Sequence, residues 1–391
     1  MTVWIINPFD NLPLEGMRPQ RYWLMAQAFA SAGWTVRLWS SDFNHVTKRK
    51  RVVREGEPQA VRVELLPTLP YPTNVCWARI RSHRAWAEAV SVRAQAVADG
   101  GERPDVVVAS TPPLGLCAAA MAFARGCGAK FVCDIQDAWP ETFLRLLPTG
   151  FKWTGAVLLA PLWKTARKLY READLVTGVC RRYEGLSGRD DFYLAYHGIA
   201  GVEKPDARKR CATTSGVSRL VYVGNLGVGY DLETVLRALA ERPALTLDIA
   251  GKGPREAQLR REAKALRLDG RVRFHGYLDE EELRDVMARC DVGVIPMRDD
   301  SWVGLPYKLG DYLKAGLPVV SSLHGECGDL LRRTGYGRTY DWGSSASLLA
   351  ALDALPPDGN VVLPEGLRAE RIYPDYVSRV SELSQGRISE F

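Results

Sequence analysis

Short apolar runs alternate with longer amphipathic stretches along the whole chain. Near the N-terminus VWIINP precedes QRYWLMAQAFASAGW, which is followed by TVRLWSS. A short run of consecutive apolar residues is typical of a buried strand, whereas apolar residues three or four positions apart are typical of a helix. The alternation therefore predicts successive βαβ units, and so an α/β fold built on parallel sheets.

The same pattern divides the chain into two halves. Strands are predicted at PDVVVAS, AKFVCDIQD, ADLVTGVC and DFYLAYHGI, after which residues 198–217 lose the periodicity and collect Gly, Pro, Ser and charge. That composition is typical of an exposed linker. A second alternating series runs from RLVYVGNLG to LPVVSS. We therefore expect two α/β domains, residues 1–197 and 198–371, whose sheets face each other across a ligand-binding cleft.

The composition is that of an ordinary folded protein. The 391 residues are 46% hydrophobic and 25% charged, as in an ordinary folded protein, and the net charge of +6 indicates only mild attraction to anions. We expect no nucleic-acid partner. The eight cysteines form no C-x-x-C pair, which is typical of buried thiols in a reducing compartment and not of disulfides or zinc ligands.

Neither a signal peptide nor a membrane-spanning helix is predicted. The chain enters a strand at MTVWIINPFD without a basic segment before it, and the longest apolar run, around TGAVLLAPLW, has about ten residues. A spanning helix needs roughly 20. We therefore expect a cytoplasmic protein.

The most informative motif is PYKLGDYLKAGLPVVSS, residues 306–322. A helix would carry Lys308 and Asp311 on one face, since residues three apart are neighbours, and Gly316 with Pro318 would end it before a buried strand. The alternative is an ordinary surface pair of opposite charges.

This motif resembles the signature of glycosyltransferase family 4, which has the GT-B fold of two facing Rossmann-like domains. The resemblance implies that Asp311 binds the ribose hydroxyls of a nucleotide-sugar donor and that Lys308 reaches its diphosphate as a catalytic group. The family's first glutamate is replaced here by Val303. Backbone amides around Gly304 and Leu305 are then expected to hold the donor sugar, whose identity the resemblance leaves open. Variants with a P-x-K-x-x-[DE]-Y core, often from surface-polysaccharide assembly, are the most similar.

A second element is VYVGNLGVGYDLETVL, residues 221–236. Glycines in a turn between a strand and a helix let backbone N–H groups surround phosphate oxygens at the positive end of that helix. Alternatively, the turn is a plain strand-to-helix connection. Family members often carry Arg and Lys here, whereas this chain has Asn225 and Val228. The predicted donor-binding positions in this turn are Gly224, Asn225, Gly227 and Gly229.

Two further segments of the second half resemble donor-binding loops of the family. In DIAGKGPREAQL, residues 248–259, Lys252 or Arg255 could supply positive charge near the nucleotide, although basic residues at a helix start are often only solvated. The segment FHGYL, residues 274–278, resembles the loop beside the base. His275 is assigned either to that loop's donor contacts or to a structural role.

The first half offers acidic candidates at FVCDIQDAWPETF, residues 131–143. A buried strand that ends before Asp137 and Glu141 brings carboxylates to the sheet edge, where one could act on an acceptor hydroxyl. The segment resembles R-D-L-W-P-E of polysaccharide-assembly members. Asp137 is the first candidate for the acceptor-side catalytic residue and Glu141 the second, and the alternative for Asp137 is a helix cap.

The first βα loop, NPFDNLPLEGMRPQRYW, resembles the family's glycine loop near the donor phosphates and the acceptor. Gly16 is the matching glycine, and Arg18 and Arg21 are candidate acceptor or phosphate contacts, with a solvent-facing position as the alternative. His45 and His197 have no ligand spacing. We expect both histidines to be structural.

Residues 144–174 are rich in Leu and Trp with interleaved Lys and Arg. This composition is typical of a helix on an anionic membrane surface. A core helix with a basic outer face is the alternative. Contact with the inner face of the cell membrane would suit a polyprenol-linked acceptor.

The resemblance covers most of the chain, including ERIYPDYVSRVSELSQ, which is similar to a C-terminal helix that returns to the first domain. Residues 1–197 with 372–391 would then bind the acceptor, and residues 198–371 the donor. It implies a retaining hexosyltransferase that uses a nucleotide sugar, with UDP favoured, and needs neither metal nor cofactor. Nucleotide-sugar 2-epimerases and an inactive nucleotide-sugar-binding subunit remain alternatives. An NAD-dependent oxidoreductase is disfavoured, because no G-x-G-x-x-G follows the first strand.

Overall fold

The computed structural model describes residues 1–15, 17–52, 60–74, 76–145, 147–201, 218–298, 301–356 and 363–386. Its contacts divide the chain into two compact units. Unit 1 is Met1–Gly198 with Gly366–Phe391, and unit 2 is Ile199–Glu365. Unit 1 thus ends at residue 198 instead of the predicted 197, and resumes at 366 instead of 372. Most of the predicted linker lies outside the described residues.

Unit 1 contains a seven-stranded sheet in the order β5-β2-β1-β6-β7-β8-β9, in which every pairing is parallel. Its central strands are buried because both faces are covered by helices, which explains their uninterrupted apolar runs. The last strand is shorter than DFYLAYHGI predicts. The strands are β1 Thr2–Ile6, β2 Thr35–Ser41, β3 Phe43–Asn44, β4 Arg49–Lys50, β5 Val61–Leu66, β6 Val106–Thr111, β7 Lys130–Ile135, β8 Leu175–Gly178 and β9 Tyr193–Leu194, with β3 and β4 forming a separate antiparallel pair.

The helices of unit 1 follow from amphipathic stretches. The helix Leu114–Cys127 is capped by Gly128, whose φ of 76° is the left-handed conformation that terminates many helices. The described helices before the linker are α1 Arg21–Ser31, α2 Trp77–Asp99, α3 Leu114–Cys127, α4 Glu141–Arg145, α5 Lys152–Glu172 and α6 Arg182–Ser187.

Unit 2 has a six-stranded parallel sheet in the order β12-β11-β10-β13-β14-β15. The strands are β10 Arg219–Val223, β11 Thr246–Ala250, β12 Val272–Gly276, β13 Val292–Ile295, β14 Val319–Ser321 and β15 Gly337–Thr339. The helices are α7 Leu232–Glu241, α8 Glu256–Ala265, α9 Glu280–Ala288, α10 Tyr307–Lys314, α11 Gly325–Thr334 and α12 Ser345–Asp353. Side-chain caps begin several of them: Asp231 accepts from Thr234 N, and Asp279 forms a capping box with Glu282.

The C-terminal helix α13, Ala369–Ser384, belongs to unit 1 and packs on α1. The rings of Phe29 and Tyr376 meet edge to face at 6.3 Å, and the Tyr373 hydroxyl donates to the carbonyl of His197. The chain therefore returns to its first unit after completing the second.

In each unit the strand order changes direction once, between β1 and β6 in unit 1 and between β10 and β13 in unit 2. Ligands of open parallel sheets bind beyond the carboxyl ends of the strands at such a point. In unit 1 the Asn7 amide, which follows β1, donates to Ser110 Oγ of β6 at 2.8 Å. Functional side chains are therefore to be sought at the carboxyl edge of each sheet.

Candidate functional site

Lys308 lies in the first turn of α10, beyond the carboxyl end of β13. Only 6% of the residue is exposed. Its Nζ lies 3.8 Å from the ring centroid of Tyr230 and 4.7 Å from that of Tyr222. Two aromatic faces therefore hold this ammonium, since the π face of a tyrosine attracts a cation.

The glycine turn that follows β10 lies directly against Lys308. Gly224 has a φ of 134°, and a Cβ added to it would lie 3.2 Å from both Cε and Nζ of Lys308. A larger residue would be strained there and would displace the lysine. The structure thus brings together the two motifs that the sequence analysis treated separately.

Burial lowers the pKa of Lys308 to about 7, and the neighbouring Asp311 carboxylate opposes this shift. Desolvation disfavours a charged amine, so an anion brought close to it would raise the pKa again. Asp311 lies one turn further along α10 and is half-buried. A negatively charged ligand near this amine would therefore favour its protonated form.

The second glycine-rich segment, which follows β11, packs backbone to backbone on the first. A Cβ on Gly251, whose φ is 153°, would lie 1.8 Å from the carbonyl oxygen of Gly224. A Cβ on Gly253 would lie 2.5 Å from the carbonyl oxygen of Leu226. Because no side chain fits between the two turns, packing alone requires these glycines.

Arg255 contacts residues of its own unit. Its guanidinium forms an ion pair with Glu233 and donates to the carbonyl of Tyr230 at 3.2 Å. These contacts join the start of α8 to the start of α7, and they account for the side chain without a donor phosphate. Lys252 is exposed on the neighbouring turn, close to Gly276.

His275 contacts a buried carboxylate. Its Nε2 lies 2.6 Å from Oδ1 of Asp248, a residue of β11 that is 7% exposed. This contact fixes the imidazole at the end of β12. The remaining donor candidates lie at the same sheet edge and are half-buried, except that Asn225 is exposed: Asn225, Gly227, Gly229, Gly304 and Leu305.

Tyr312 was missed by the sequence analysis. Its hydroxyl accepts from Val223 N at 3.0 Å and donates to the Val294 carbonyl at 3.1 Å, so it connects β10 with β13. A Cβ on Gly293 would lie 2.3 Å from the Tyr312 ring. Gly293 stands within the apolar run CDVGVIP, and this was the available signal, because a glycine inside a strand often marks a close approach of another group.

Arg21 requires a correction. It was predicted as an acceptor or phosphate contact, but it is 1% exposed and its Nε and Nη2 donate to both oxygens of Asp134, at 3.0 and 2.9 Å. Its Nη1 donates to the carbonyls of Ala195 and Tyr196 at 2.8 Å each. Asp134 also accepts from Tyr22 Oη at 2.6 Å. The guanidinium is thus saturated inside unit 1 and unavailable to a ligand.

Asp137 and Glu141 lie beyond the carboxyl end of β7, as the sequence analysis predicted for both. Asp137 is half-buried, and its Oδ1 lies 3.4 Å from the Thr142 hydroxyl. Glu141 Oε1 accepts a hydrogen bond of 2.6 Å from the Trp163 indole. Asp137 thus adjoins α4, and Glu141 joins α4 to α5. Arg18 is exposed before α1, and Gly16 lies outside the described residues.

The predicted amphipathic segment forms α4, a short 3-10 turn and α5. The first half of α5 exposes apolar side chains, with Trp153 77% and Leu158 80% exposed. The second half exposes basic side chains, namely Lys164, Arg167, Lys168 and Arg171. Large exposed apolar side chains thus cluster on the first half of α5, whereas the second half buries Ala166, Leu169 and Tyr170 beneath its basic outer face, as a core helix would.

Within the described ranges, no group of three or more His, Cys, Asp or Glu side chains could hold a metal ion. No helix in that part of the chain is long and apolar enough to cross a membrane.

Each half of the chain matches a known family of glycosyltransferase domains. Residues 19–191 match the glycosyl transferase 4-like domain, and residues 217–356 match the glycosyl transferases group 1. Glycogen synthase of Mycobacterium tuberculosis is 29% identical over 189 residues, which are 45% of this chain and 44% of that protein. The amylovoran biosynthesis glycosyltransferase AmsK of Erwinia amylovora is 28% identical over 39% of this chain and 38% of its own. The chain therefore matches less than half the length of these curated relatives.

Among solved structures, HepE of Anabaena in complex with UDP and glucose is similar over 99% of this chain and 98% of its own. The TM-score is 0.59 and the sequence identity 13%. At this identity the similarity shows the fold alone.

Proposed function

Because this chain belongs to the GT-B glycosyltransferases, we propose that it transfers a hexose from a UDP-linked donor to a glycan or to a polyprenol-linked acceptor. UDP is chosen because the similar HepE structure holds UDP and glucose. A role in surface-polysaccharide or glycoconjugate synthesis is chosen because AmsK is named for amylovoran biosynthesis.

The observation that carries this proposal is the position of Lys308. Its ammonium is buried at the first glycine of the turn that follows β10. Burying an ammonium costs free energy, and its lowered pKa reflects that cost. A donor diphosphate at this turn would remove the cost, and the backbone N–H groups of the turn would bind further oxygens.

The other contacts with the donor come from residues at the same edge of the unit 2 sheet. Asp311 binds the ribose hydroxyls, and the backbone N–H groups of Gly304 and Leu305 bind the sugar. During transfer the bond between the anomeric carbon and the diphosphate breaks, and Lys308 stabilises the negative charge that develops on the leaving group. This stabilisation requires no metal ion.

The acceptor belongs to unit 1 in this proposal. Asp137 accepts a hydrogen bond from a second hydroxyl of the acceptor and so orients the reacting hydroxyl. The departing phosphate oxygen takes the proton of that hydroxyl, while the hydroxyl oxygen bonds to the anomeric carbon on the face that the diphosphate leaves. The anomeric configuration is therefore retained.

A donor panel tests the proposal. The full chain is incubated with UDP-glucose, UDP-galactose, UDP-N-acetylglucosamine and, as a control for the base, GDP-mannose, each with a crude glycolipid acceptor fraction and with or without EDTA. We expect release of UDP and a glycosylated product of retained configuration, unchanged by EDTA. A sugar altered while still attached to UDP would indicate an epimerase, and binding without any product would indicate an inactive subunit.

We also propose that unit 1 rests on an anionic membrane at the cytoplasmic face. The exposed Trp153 and Leu158 would enter the interface, and the basic second half of α5 would face the anionic headgroups. Flotation with phosphatidylglycerol vesicles tests this. We expect binding at low salt that is lost in Trp153→Ser/Leu158→Ser and kept in Val92→Ser, a control residue of α2 that is 73% exposed. Failure of the unaltered protein to float at low salt would contradict the proposal.

A further inference from the structure

Unit 1 contains a second group of side chains at the carboxyl edge of its sheet. Phe9 follows β1, Tyr71 follows β5, Trp139 follows β7, and Arg79 lies in the first turn of α2. The loop after β3 adds the remaining members. We refer to the group as the Tyr71 cluster, which consists of Phe9, His45, Lys48, Tyr71, Arg79 and Trp139.

Two cations lie against the aromatic rings of the cluster. Lys48 Nζ is 4.6 Å from the ring centroid of Tyr71. The Arg79 guanidinium carbon is 5.5 Å from the centroids of both Phe9 and Trp139, and 6.0 Å from that of Tyr71. Both cations therefore adjoin the same tyrosine ring, where aromatic faces replace part of their water.

The histidines beside these cations are neutral. Burial first, and the neighbouring cations second, lower the pKa of His45 and of His83 to about 3. His83 Nε2 accepts from Arg79 Nε at 3.2 Å, which requires that this nitrogen carry no proton. His45 Nδ1 lies 2.6 Å from the Tyr71 hydroxyl, which is protonated because burial raises its pKa to about 12. With Nδ1 as acceptor, His45 presents Nε2–H as a donor.

The two cations repel each other. Burial and then the charge of Arg79 lower the pKa of Lys48 to about 8. Burial also lowers the pKa of Arg79, which the Asp137 carboxylate opposes. Both cations already donate to Asn74, Lys48 Nζ to its Oδ1 at 2.5 Å and Arg79 Nη1 to its carbonyl at 2.7 Å. These neutral oxygens do not cancel the charge, so an oxyanion bound to the remaining N–H groups of both cations would relieve the repulsion through charge-assisted hydrogen bonds.

The aromatic rings of the cluster could contact the apolar part of a ligand that carries such an oxyanion. Phe9 and Trp139 are half-buried, and the pocket beside Phe9, lined also by Tyr71 and His83, has a volume of about 10 Å³. That volume holds about one water molecule. A sugar ring would therefore lie outside this pocket, against the exposed parts of Phe9 and Trp139, while its polar groups reach Lys48 and Arg79.

We propose that the Tyr71 cluster binds an oxyanion of the acceptor, so that the acceptor of this enzyme is an acidic saccharide whose carboxylate or phosphate lies between Lys48 and Arg79. This inference rests on the proposed transferase function, to which it adds the chemical class of the acceptor. The Asp137 carboxylate, which orients the acceptor in the proposed function, lies near enough to Arg79 to raise the pKa of that guanidinium.

Calorimetric titration of the full chain tests the inference with three probes, namely methyl β-D-glucuronide, glucose 6-phosphate and neutral methyl β-D-glucoside. We expect at least one acidic probe to bind about tenfold or more tightly than the neutral one, with an affinity that falls as salt is added. Preference for the glucuronide would identify a carboxylate, and preference for the sugar phosphate a phosphate. Equal affinity for the acidic and neutral probes would overturn the inference.

Variants locate the binding site. Lys48→Met and Arg79→Met should each weaken the preferred acidic probe by about tenfold, whereas Arg84→Met, an exposed residue of the same helix as Arg79, should not. Undiminished binding in both variants would overturn the assignment to this cluster.

Thermal stabilisation by UDP, measured in parallel, distinguishes a failure of this inference from a failure of the proposed function. A protein that UDP stabilises but that prefers no acidic probe contradicts only this inference, and one that UDP does not stabilise contradicts the proposed function.

Discussion

Arg21 of unit 1 and Lys308 of unit 2 are both buried cations near the start of a helix at the edge of a sheet, and they differ in what surrounds them. Arg21 of unit 1 donates to a carboxylate and to two carbonyls. Lys308 of unit 2 lies against two tyrosine rings and a glycine turn. A buried cation with saturated hydrogen bonds stabilises the fold, whereas one surrounded by rings can still bind an anion. Burial of a charge alone therefore does not identify a site.

The largest expected effect comes from breaking the Arg21 pair. Arg21→Met leaves the Asp134 carboxylate buried without its cation, so we expect the free energy of unfolding to fall by about 3 to 5 kcal/mol. Denaturant unfolding measures this, with Arg84→Met on the surface of α2 as the control. A variant as stable as the control would show that the pair has no structural role.

The corresponding change in unit 2 should affect catalysis and not stability. Lys308→Met keeps the apolar length of the side chain and removes a desolvated charge, so we expect unchanged or higher thermal stability. Turnover of the nucleotide sugar should fall about a hundredfold or more, because the leaving diphosphate loses a charge-stabilising donor. Turnover near that of the unaltered protein would refute the catalytic role of Lys308.

A smaller effect tests the glycine turns beside Lys308. Gly251→Ala places a methyl group against the Gly224 carbonyl at a strained φ, and should lower the free energy of unfolding by about 1 to 3 kcal/mol. Gly227→Ala is the matched control, because the nearest atom to its added Cβ is 3.6 Å away. Its effect on unfolding should stay within about 0.5 kcal/mol. Equal effects of the two changes would contradict the backbone packing described for these turns.

Local patterns in the sequence predicted the α/β class and the elements near Lys308. The glycines after β10 and the P-x-K-x-x-D motif are local signals, and they meet because β10 and β13 are neighbours in the sheet. The role of Arg21 could not be predicted in this way. It depends on Asp134, a residue 113 positions away in the chain, and the sequence gives no sign of that pairing.

The Tyr71 cluster likewise depends on residues that are far apart in the chain, so local sequence patterns could not predict it. His45 was expected to be structural because its neighbours in sequence offer no ligand spacing. Its partners come from separate loops, which only the order of the strands brings to one edge. Conversely, the glycines at 251 and 253 were visible in the sequence, but their requirement for backbone packing became apparent only when both turns were seen together.

The most direct test of the central claim is the number of protons taken up when the donor binds. Lys308 has a pKa of about 7 in the ligand-free protein, so at pH 8 it is mostly unprotonated, and a bound diphosphate should restore the proton by raising that pKa. Calorimetry of UDP-glucose binding at pH 8, in two buffers of different ionisation enthalpy, should show a net uptake of protons, and almost none in Lys308→Met. Binding without proton uptake in the unaltered protein, or equal uptake in the variant, would contradict the assignment of Lys308 to the donor diphosphate.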